Sequence, residues 1–278
     1  MDYVLVAERS LKEIVPVTLA SLRRHGRARS VGLIVPRRDL QLFAVLGDEL
    51  VNVIPESAVL PDWPLSAVAD RLSLPFRAGW YLQQFLKLTY GEHAGLSTYV
   101  IWDADTVMLR DMKFTDNGTA RLNLSKEHHE PYFSTYRKVT GRDTVLKKSA
   151  ISQYLVVETE IVRQLARVIC EQTRCDDWIE GVLRSLPGND ASEFSEYETY
   201  ANFLAREWPD RVSYADGAWF RYGSEILPAS RWNGPPEYML DQLERMFHGY
   251  VFVAFERHQS NWIKRIAAHV FKFLRIGA

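Results

Sequence analysis

The chain has 278 residues, 47% of them hydrophobic and 25% charged, which suits one large α/β domain with a substantial core. Its net charge of −1 argues against a general nucleic-acid binder, so we expect no nucleic-acid partner. No apolar run approaches the roughly 20 residues of a membrane span, and the first residues lack the basic region and cleavage site of a signal peptide.

Cys170 and Cys175 lie five residues apart, and no second pair of cysteines exists to complete a zinc site. We therefore expect reduced thiols and a cytoplasmic protein.

Predicted strands and helices alternate in the first part of the chain. Hydrophobic patterns predict strands at 3–7, 31–35, 50–54 and 99–102, helices at 11–25, 39–46 and 79–90, and a proline-rich connection at 57–78. This order predicts an α/β fold of right-handed βαβ units, with a mixed, mainly parallel sheet flanked by helices.

The rest of the chain continues with less regular signals. We predict strands at 120–125, 152–157, 211–215 and 250–255, helices at 133–139, 158–173 and 176–186, and a further helix that begins after Ser195. Glycines and paired prolines at 223–236 predict a loop rich in aromatic residues.

Asp103 and Asp105 follow the apolar run of the strand at 99–102. A buried strand does not tolerate unpaired carboxylates, so the two acids should emerge at its carboxyl end, where open α/β sheets bind ligands. Carboxylate oxygens suit Mg²⁺ or Mn²⁺, which often bridge to substrate phosphates. An acidic turn after a strand explains the same two residues without any metal.

Charged residues near the helix at 79–90 are candidates for contact with a diphosphate. Arg77 stands just before the helix start, where backbone donors favour anions. Gln84 and Lys87 lie largely outside the apolar stripe of this helix. Two solvated cations are an equally good interpretation of Arg77 and Lys87.

The stretch from Glu193 to Glu198 combines three acids with a helix start. Ser195 followed by Glu198 forms a capping box, which explains Glu198. Glu196, and after it Glu193, are candidates for a general base. An acid at a helix start, favoured by the helix dipole, is the structural alternative for Glu196.

His128, His129, Trp219 and Trp232 are candidates for binding a saccharide in the later part of the chain. Adjacent histidines do not share one face of a helix or strand, so a two-histidine metal site is not expected. Buried packing is the alternative interpretation for the tryptophans.

The first 105 residues alternate strand and helix and end in Asp-X-Asp, an order that resembles the GT-A nucleotide-sugar glycosyltransferases. Three motifs occur along the chain: Gly-Trp-Tyr-Leu-Gln-Gln-Phe-Leu-Lys-Leu at 79–88, Trp-Asp-Ala-Asp at 102–105 and Ser-Glu-Tyr-Glu at 195–198. They look most like a bacterial GT-A-like family of unknown function. The resemblance implies one domain over 1–259, with a Rossmann-like nucleotide-sugar half at 1–118 and an acceptor half at 119–259.

The same resemblance implies a metal-dependent glycosyltransferase. It would transfer sugar from a nucleotide-sugar donor, preferably a UDP-sugar, to a saccharide or lipid-linked acceptor. Asp103, Asp105 and His258 would hold Mn²⁺ or Mg²⁺. The implied donor site is formed by Ala7, Glu8, Arg9, Arg77, Gln84, Lys87, Trp102, Asp103 and Ala104.

Two other functions use the same residues. Haloacid dehalogenase-like phosphatases carry Asp-X-Asp after an apolar strand, and Asp176 with Asp177 resembles their late acidic pair. That motif normally lies on the first strand of the domain, and a helix cap explains Asp177 equally well. A non-catalytic nucleotide or sugar binder on the same scaffold is the third hypothesis.

Residues 260–278 predict an amphipathic basic helix. Lys264, Arg265, His269, Lys272 and Arg275 fall within an arc of about 140° at 100° per residue, opposite an apolar face with Trp262 and Phe273. Residues 260–276 thus suit a helix lying on a membrane surface, which would make the protein peripheral on the inner face of the cell membrane. A closing helix packed on the domain fits the same pattern.

Overall fold

The computed structural model describes residues 1–215 and 217–256. Its strands are β1 Asp2–Val6, β2 Ser30–Val35, β3 Val51–Pro55, β4 Thr98–Trp102, β5 Thr106–Met108, β6 Thr115–Asp116, β7 Thr119–Asn123, β8 Tyr154–Glu158, β9 Val212–Ala215, β10 Trp219–Phe220 and β11 Phe252–Ala254. Its α-helices are α1 Val15–Arg24, α2 Leu40–Ala44, α3 Glu56–Val59, α4 Leu65–Ala69, α5 Ala78–His93, α6 Glu130–Thr140, α7 Thr159–Thr173, α8 Trp178–Ser185, α9 Glu196–Glu207, α10 Gly223–Ile226 and α11 Pro236–Met246.

The main sheet has five strands in the order β3-β2-β1-β4-β8. The first four are parallel, whereas β8 pairs antiparallel with β4, from Trp102 opposite Tyr154 to Thr98 opposite Glu158. Val4, Leu33, Ile101 and Val157 are fully buried, as expected for strands covered by helices on both faces. The predicted mixed, mainly parallel sheet flanked by helices is confirmed.

Two smaller sheets carry the later strands. One has the order β10-β11-β5, and the other has the order β6-β7-β9. The strand predicted at 120–125 is β7, which pairs with β9 rather than with the main sheet. Alternation of side chains predicts a strand but not its neighbour, because pairing depends on distant chain segments.

Helix α11 begins where the predicted loop at 223–236 ends. Pro236 is its first residue, a position that tolerates proline because the missing N–H has no helical partner there. Met239, Leu240 and Leu243 form its buried face. They pack in a second hydrophobic cluster with residues of α1, β5 and β11, including Val17, Val107 and Val253.

None of the helices in the described part of the chain is both long and apolar enough to cross a membrane.

Candidate functional site

Strand order places a crevice at the carboxyl ends of β1 and β4. The chain proceeds from β1 outward to β2 and β3, then returns to form β4 on the other side of β1. Connections on the two sides of β1 diverge at this point, and open α/β sheets bind ligands in the crevice that results. Asp103 and Asp105 follow β4 directly, so they lie at this crevice.

A tight turn carries the two acids. The Thr106 N–H donates to the Asp103 carbonyl at 3.0 Å, which closes a four-residue turn. The Asp103 N–H donates to the Gln153 carbonyl at 2.9 Å, and Thr18 Oγ1 donates to the Ala104 carbonyl at 3.1 Å. The turn is therefore anchored to both α1 and the segment before β8.

Two cavities of about 530 and 660 Å³ meet at this turn. Ends of the parallel strands line the first, including Ala7, Glu8 and Pro36, together with Arg38, Glu56 and Phe76. The second contains most of the charged side chains, including Lys87, Asp103, Glu127, Glu196, Arg221 and Glu256. Val6, Leu11, Trp80, Gln83 and Asp105 line both cavities. Asp105 thus stands at the junction of one continuous cleft.

Lys87 connects two acids that are far apart in the sequence. Its Nζ donates to Asp103 Oδ1 at 2.6 Å and to Glu196 Oε1 at 2.8 Å. Burial lowers the pKa of Lys87, but Asp103 and Glu196 more than offset this effect, so the net shift is upward. Lys87 therefore stays protonated between two carboxylates.

The hydroxyl group of Tyr197 completes this network by donating to Asp103 Oδ1 at 2.9 Å. Burial, followed by the charges of Asp103 and Glu196, raises the pKa of Tyr197 well above its ordinary value. Burial also raises the pKa of Glu196, an effect that Lys87 opposes. The Glu196 backbone N–H donates to Gln84 Oε1 at 3.0 Å, so Gln84 and Lys87 both join α5 to the start of α9.

Asp105 has a different environment from Asp103. Burial, then the negative charges of Asp103 and Glu256, raise the pKa of Asp105 to about 8. A divalent cation beside these carboxylates would offset both the burial and the repulsion. Two carboxylates also suit Mg²⁺ or Mn²⁺, because such ions take their remaining ligands from water and substrate phosphates. The residues therefore fit the predicted metal.

No group of three or more His, Cys, Asp or Glu side chains in residues 1–215 and 217–256 has the arrangement of a metal site. His258, predicted as the third metal ligand, lies outside the described residues.

Several predicted donor residues lie around the first cavity. Ala7 and Glu8 line it at the end of β1. Arg9 pairs instead with the buried Asp39, with 3.2 Å between Nε and Oδ1. The Trp102 ring is fully buried and stacks on Tyr154 at 6.1 Å between centroids. The Trp102 side chain belongs to the core, so a ligand in the cleft does not contact its ring. Trp102 affects such a ligand only by supporting the neighbouring turn.

Other predicted residues line the second cavity, namely Arg77, Gln84, Lys87, Ala104, His129 and Glu196. Arg77 Nε donates to the Ala191 carbonyl at 2.8 Å, and its guanidinium stacks 4.5 Å from the centre of the Trp80 ring. His129 Nε2 lies 2.7 Å from the Ser192 carbonyl oxygen. Arg77 and His129 are therefore held against the same 191–192 segment at the rim.

The remaining predicted site residues have packing or capping roles. The Glu193 carboxylate accepts hydrogen bonds from the backbone N–H groups of Gly188, Asn189 and Asp190 at 2.8–3.0 Å. His128 stacks on Phe133 at 4.7 Å. Trp219 stacks on Phe252 at 5.5 Å, and Trp232 packs edge-on against Phe255 at 4.9 Å.

Six residues that line the second cavity are not among the predicted site residues: Trp80, Tyr132, Gln153, Tyr197, Arg221 and Glu256. Tyr197 lies inside the Ser-Glu-Tyr-Glu motif, so this motif could have identified it as a site residue. Glu256 follows the last strand, which is a weaker signal. Gln153 has no local signal at all, because its importance comes from where β8 pairs with β4.

The late acidic pair of the phosphatase hypothesis lies at a helix start. Asp177 is the N-cap of α8, and its carboxylate accepts hydrogen bonds from the backbone N–H groups of Ile179 and Glu180. Capping thus accounts for this acid.

Three solved structures with a similar arrangement come from two glycosyltransferases. The galactosyltransferase LgtC in complex with donor and acceptor sugar analogs has a TM-score of 0.44 and 15% identity, over 94% of this chain and 89% of that chain. An active-site mutant of LgtC has a TM-score of 0.45 and 14% identity, over 98% and 95%. The apo form of mouse xyloside xylosyltransferase 1 has a TM-score of 0.45 and 11% identity, over 91% and 97%.

No curated protein sequence matches the chain. A family model described as a family of unknown function (DUF6492) matches residues 12–277. The chain belongs to this family.

Proposed function

We propose that this protein is a metal-dependent glycosyltransferase that moves a sugar from a nucleoside-diphosphate sugar, preferably a UDP-sugar, to a saccharide or lipid-linked acceptor. The observation that carries the proposal is the position of Asp103 and Asp105. They occupy a tight turn at the carboxyl end of β4, beside the switch in strand order and at the junction of two cavities. A diphosphate placed there lies between a nucleoside on one side and an acceptor on the other.

Asp103 and Asp105 would hold the proposed Mn²⁺ or Mg²⁺ through carboxylate oxygens. The ion would supply Lewis-acid stabilisation of the departing diphosphate. Lys87 fixes one Asp103 oxygen and contributes a positive charge that Glu196 and Asp103 share. His258 remains a candidate third ligand on sequence grounds alone.

The first cavity is the proposed nucleoside site, because the ends of β1 and β2 form its floor. Ala7 and Glu8 would contact the donor there. The second cavity is the proposed site of transfer and acceptor binding, with Arg77, Gln84 and His129 at its walls. Its half-buried aromatic residues Trp80 and Tyr132 provide apolar faces of the kind that pack on sugar rings.

Glu196 is the proposed general base if the reaction inverts the sugar configuration. It lines the second cavity beside Asp103, and burial raises its pKa, which makes a carboxylate a better proton acceptor near neutral pH. Glu193 is not a proposed base, because its carboxylate accepts hydrogen bonds from the backbone of the 188–190 loop.

The test is a screen of nucleotide sugars for nucleotide release that depends on Mn²⁺ or Mg²⁺, with phosphomonoesters as a separate substrate set. We expect release from one or more nucleotide sugars and none of it in the presence of a chelator. Asp103→Asn and Asp105→Asn should abolish release in a chain that remains folded, and Asp103→Asn should melt below the wild type because Lys87 loses one of its two carboxylate partners. Asp116→Asn, at an exposed acid on β6, is the matched control and should release nucleotide normally.

Phosphate release from phosphomonoesters alone would favour the phosphatase, and nucleotide-sugar binding without turnover would favour the non-catalytic binder. Normal activity in either turn variant, with a normal melt, would contradict the assignment of the site.

A further inference from the structure

Gln153 combines three features that do not normally occur together. It is 1% exposed, it lines the second cavity, and its backbone has a φ of 70°. That left-handed conformation is uncommon for residues other than glycine, asparagine and aspartate, and it costs free energy unless the surrounding structure enforces it. Residues held in this way cluster at ligand sites and switches.

The contacts of Gln153 explain what the conformation achieves. Its backbone carbonyl accepts a hydrogen bond from the Asp103 N–H at 2.9 Å. Its side-chain Oε1 accepts a hydrogen bond from Thr106 Oγ1 at 3.3 Å. One residue therefore holds the first and last residues of the turn that carries Asp103 and Asp105.

The other end of the Gln153 amide reaches a third segment of the chain. Nε2 donates to Glu256 Oε1 at 2.7 Å, just after β11. Glu256 and Asp105 both line the second cavity. If only the positive φ were needed, glycine would adopt it at a lower cost in free energy. The long amide is required because it spans from Thr106 to Glu256.

We propose that Gln153 is a positioning residue that holds the Asp103–Thr106 turn, and Glu256 beside it, in the arrangement that binds a divalent cation. This inference rests on the proposed function. Residues that orient metal ligands through hydrogen bonds typically change metal affinity about 10- to 100-fold when they are replaced. Gln153 fits that role although its own side chain is not a ligand.

The experiment compares Gln153→Gly with Gln153→Ala by thermal melting and by calorimetric titration with Mn²⁺ alone. Both variants lose the amide, but only glycine adopts a positive φ freely, so Gln153→Gly should melt at the higher temperature. Both should nevertheless bind Mn²⁺ at least about tenfold more weakly than the wild type. A merely structural role predicts instead that Mn²⁺ affinity follows the melting temperature.

Two further variants sharpen the comparison. Arg174→Gly is the matched control, since Arg174 also has a positive φ, 56°, but is exposed at the end of α7. It should melt no lower than the wild type and bind Mn²⁺ normally. Thr106→Val keeps the shape of a fully buried side chain and removes only the donor to Gln153 Oε1. It should weaken Mn²⁺ binding, and it decides the matter if both Gln153 variants fail to fold.

Mn²⁺ affinities of the Gln153 variants within about twofold of the wild type would overturn the inference and leave the proposed function intact. A wild type that neither binds Mn²⁺ nor releases nucleotide would overturn the proposed function and this inference with it.

Discussion

At the residue scale, the centre of the site is a group of buried charged side chains whose positive and negative charges do not fully cancel. Lys87 is the cation shared by Asp103 and Glu196. Asp105 has a pKa raised to about 8 by burial and by Asp103 and Glu256. Removing one partner of a buried pair typically costs about 3–5 kcal/mol, because a charge is left without compensation. The residues of this site are therefore coupled, and single replacements must be interpreted together.

Glu196→Gln tests whether the buried acid is a base. If Glu196 accepts the acceptor proton, the variant should transfer sugar about 10²- to 10⁴-fold more slowly than the wild type. Glu207→Gln is the control on the same helix, since Glu207 pairs with Arg142 at the surface, and its turnover should be normal. Analysis of the product anomer by NMR decides the stereochemistry. Retention of configuration, or full turnover in Glu196→Gln, would remove the proposed role.

At the element scale, side chains at strand and helix ends hold the neighbouring elements in register. Asp2, at the start of β1, accepts hydrogen bonds from Arg29 Nε at 3.0 Å and from Ser30 Oγ at 2.7 Å. These bonds fasten the start of β1 to that of β2, where Asp2 lies opposite Ser30. The register of β1 is important for the site because its far end, at Val6, opens into the cleft.

Asp2→Asn should lower stability in a pH-dependent way. The hydrogen bond from Arg29 is the main cause that lowers the pKa of Asp2. A carboxylate whose pKa is lower in the folded than in the unfolded state stabilises the fold above the unfolded value of about 3.9 and loses this effect as pH falls through the folded value. We expect a loss of about 1 kcal/mol at pH 7, limited by solvent screening of the exposed Arg29.

Urea unfolding of the wild type and Asp2→Asn at pH 7, and again at a pH below the folded pKa of Asp2, measures this difference. The gap should close in acid, whereas Asp116→Asn should show no gap at either pH. An equal loss under both conditions would mean that packing, not charge, explains the effect.

At the scale of the whole molecule, the late part of the chain returns to the early site. β11 pairs antiparallel with β5, with Ala254 opposite Thr106, and the Phe255 N–H donates to the Asp105 carbonyl at 2.8 Å. The second hydrophobic cluster, which joins α1, α11, β5 and β11, holds this return in place. The turn from Asp103 to Thr106 is thus held by both early and late segments of the chain.

Residues 260–276, which lie outside the described residues, carry the predicted membrane contact. Each basic residue near anionic lipid contributes about 1 kcal/mol, so Lys264, Arg265, Lys272 and Arg275 together favour a negatively charged surface. We expect the full chain to float with anionic vesicles and not with neutral ones, and a chain ending at Gln259 to stay in the soluble fraction while remaining folded. A full chain that stays soluble, with a truncated chain that unfolds, would show a closing helix instead.

Short-range patterns in the sequence predict the order of strands and helices in the first half and the place of the two acids. Strand periodicity, proline stops and the Ser195 cap act within a few residues, so they are visible locally. Observed β1, β2, β3, β4 and α5 accordingly lie close to their predicted ranges. Asp103 and Asp105 lie at the end of β4 for the same reason, since charged groups leave a buried strand at its exposed end.

Which side chains meet depends on how the folded chain packs. Lys87 and Glu196 are 109 residues apart in the chain and form an ion pair, and Gln153 meets Glu256 across 103 residues. A tryptophan side chain can stack on a sugar or pack in a core, and the local sequence does not distinguish these roles. In the structure, Trp219 and Trp232 pack against Phe252 and Phe255. Such partners depend on strand order and on the packing of α5 against α9, which no short-range pattern encodes.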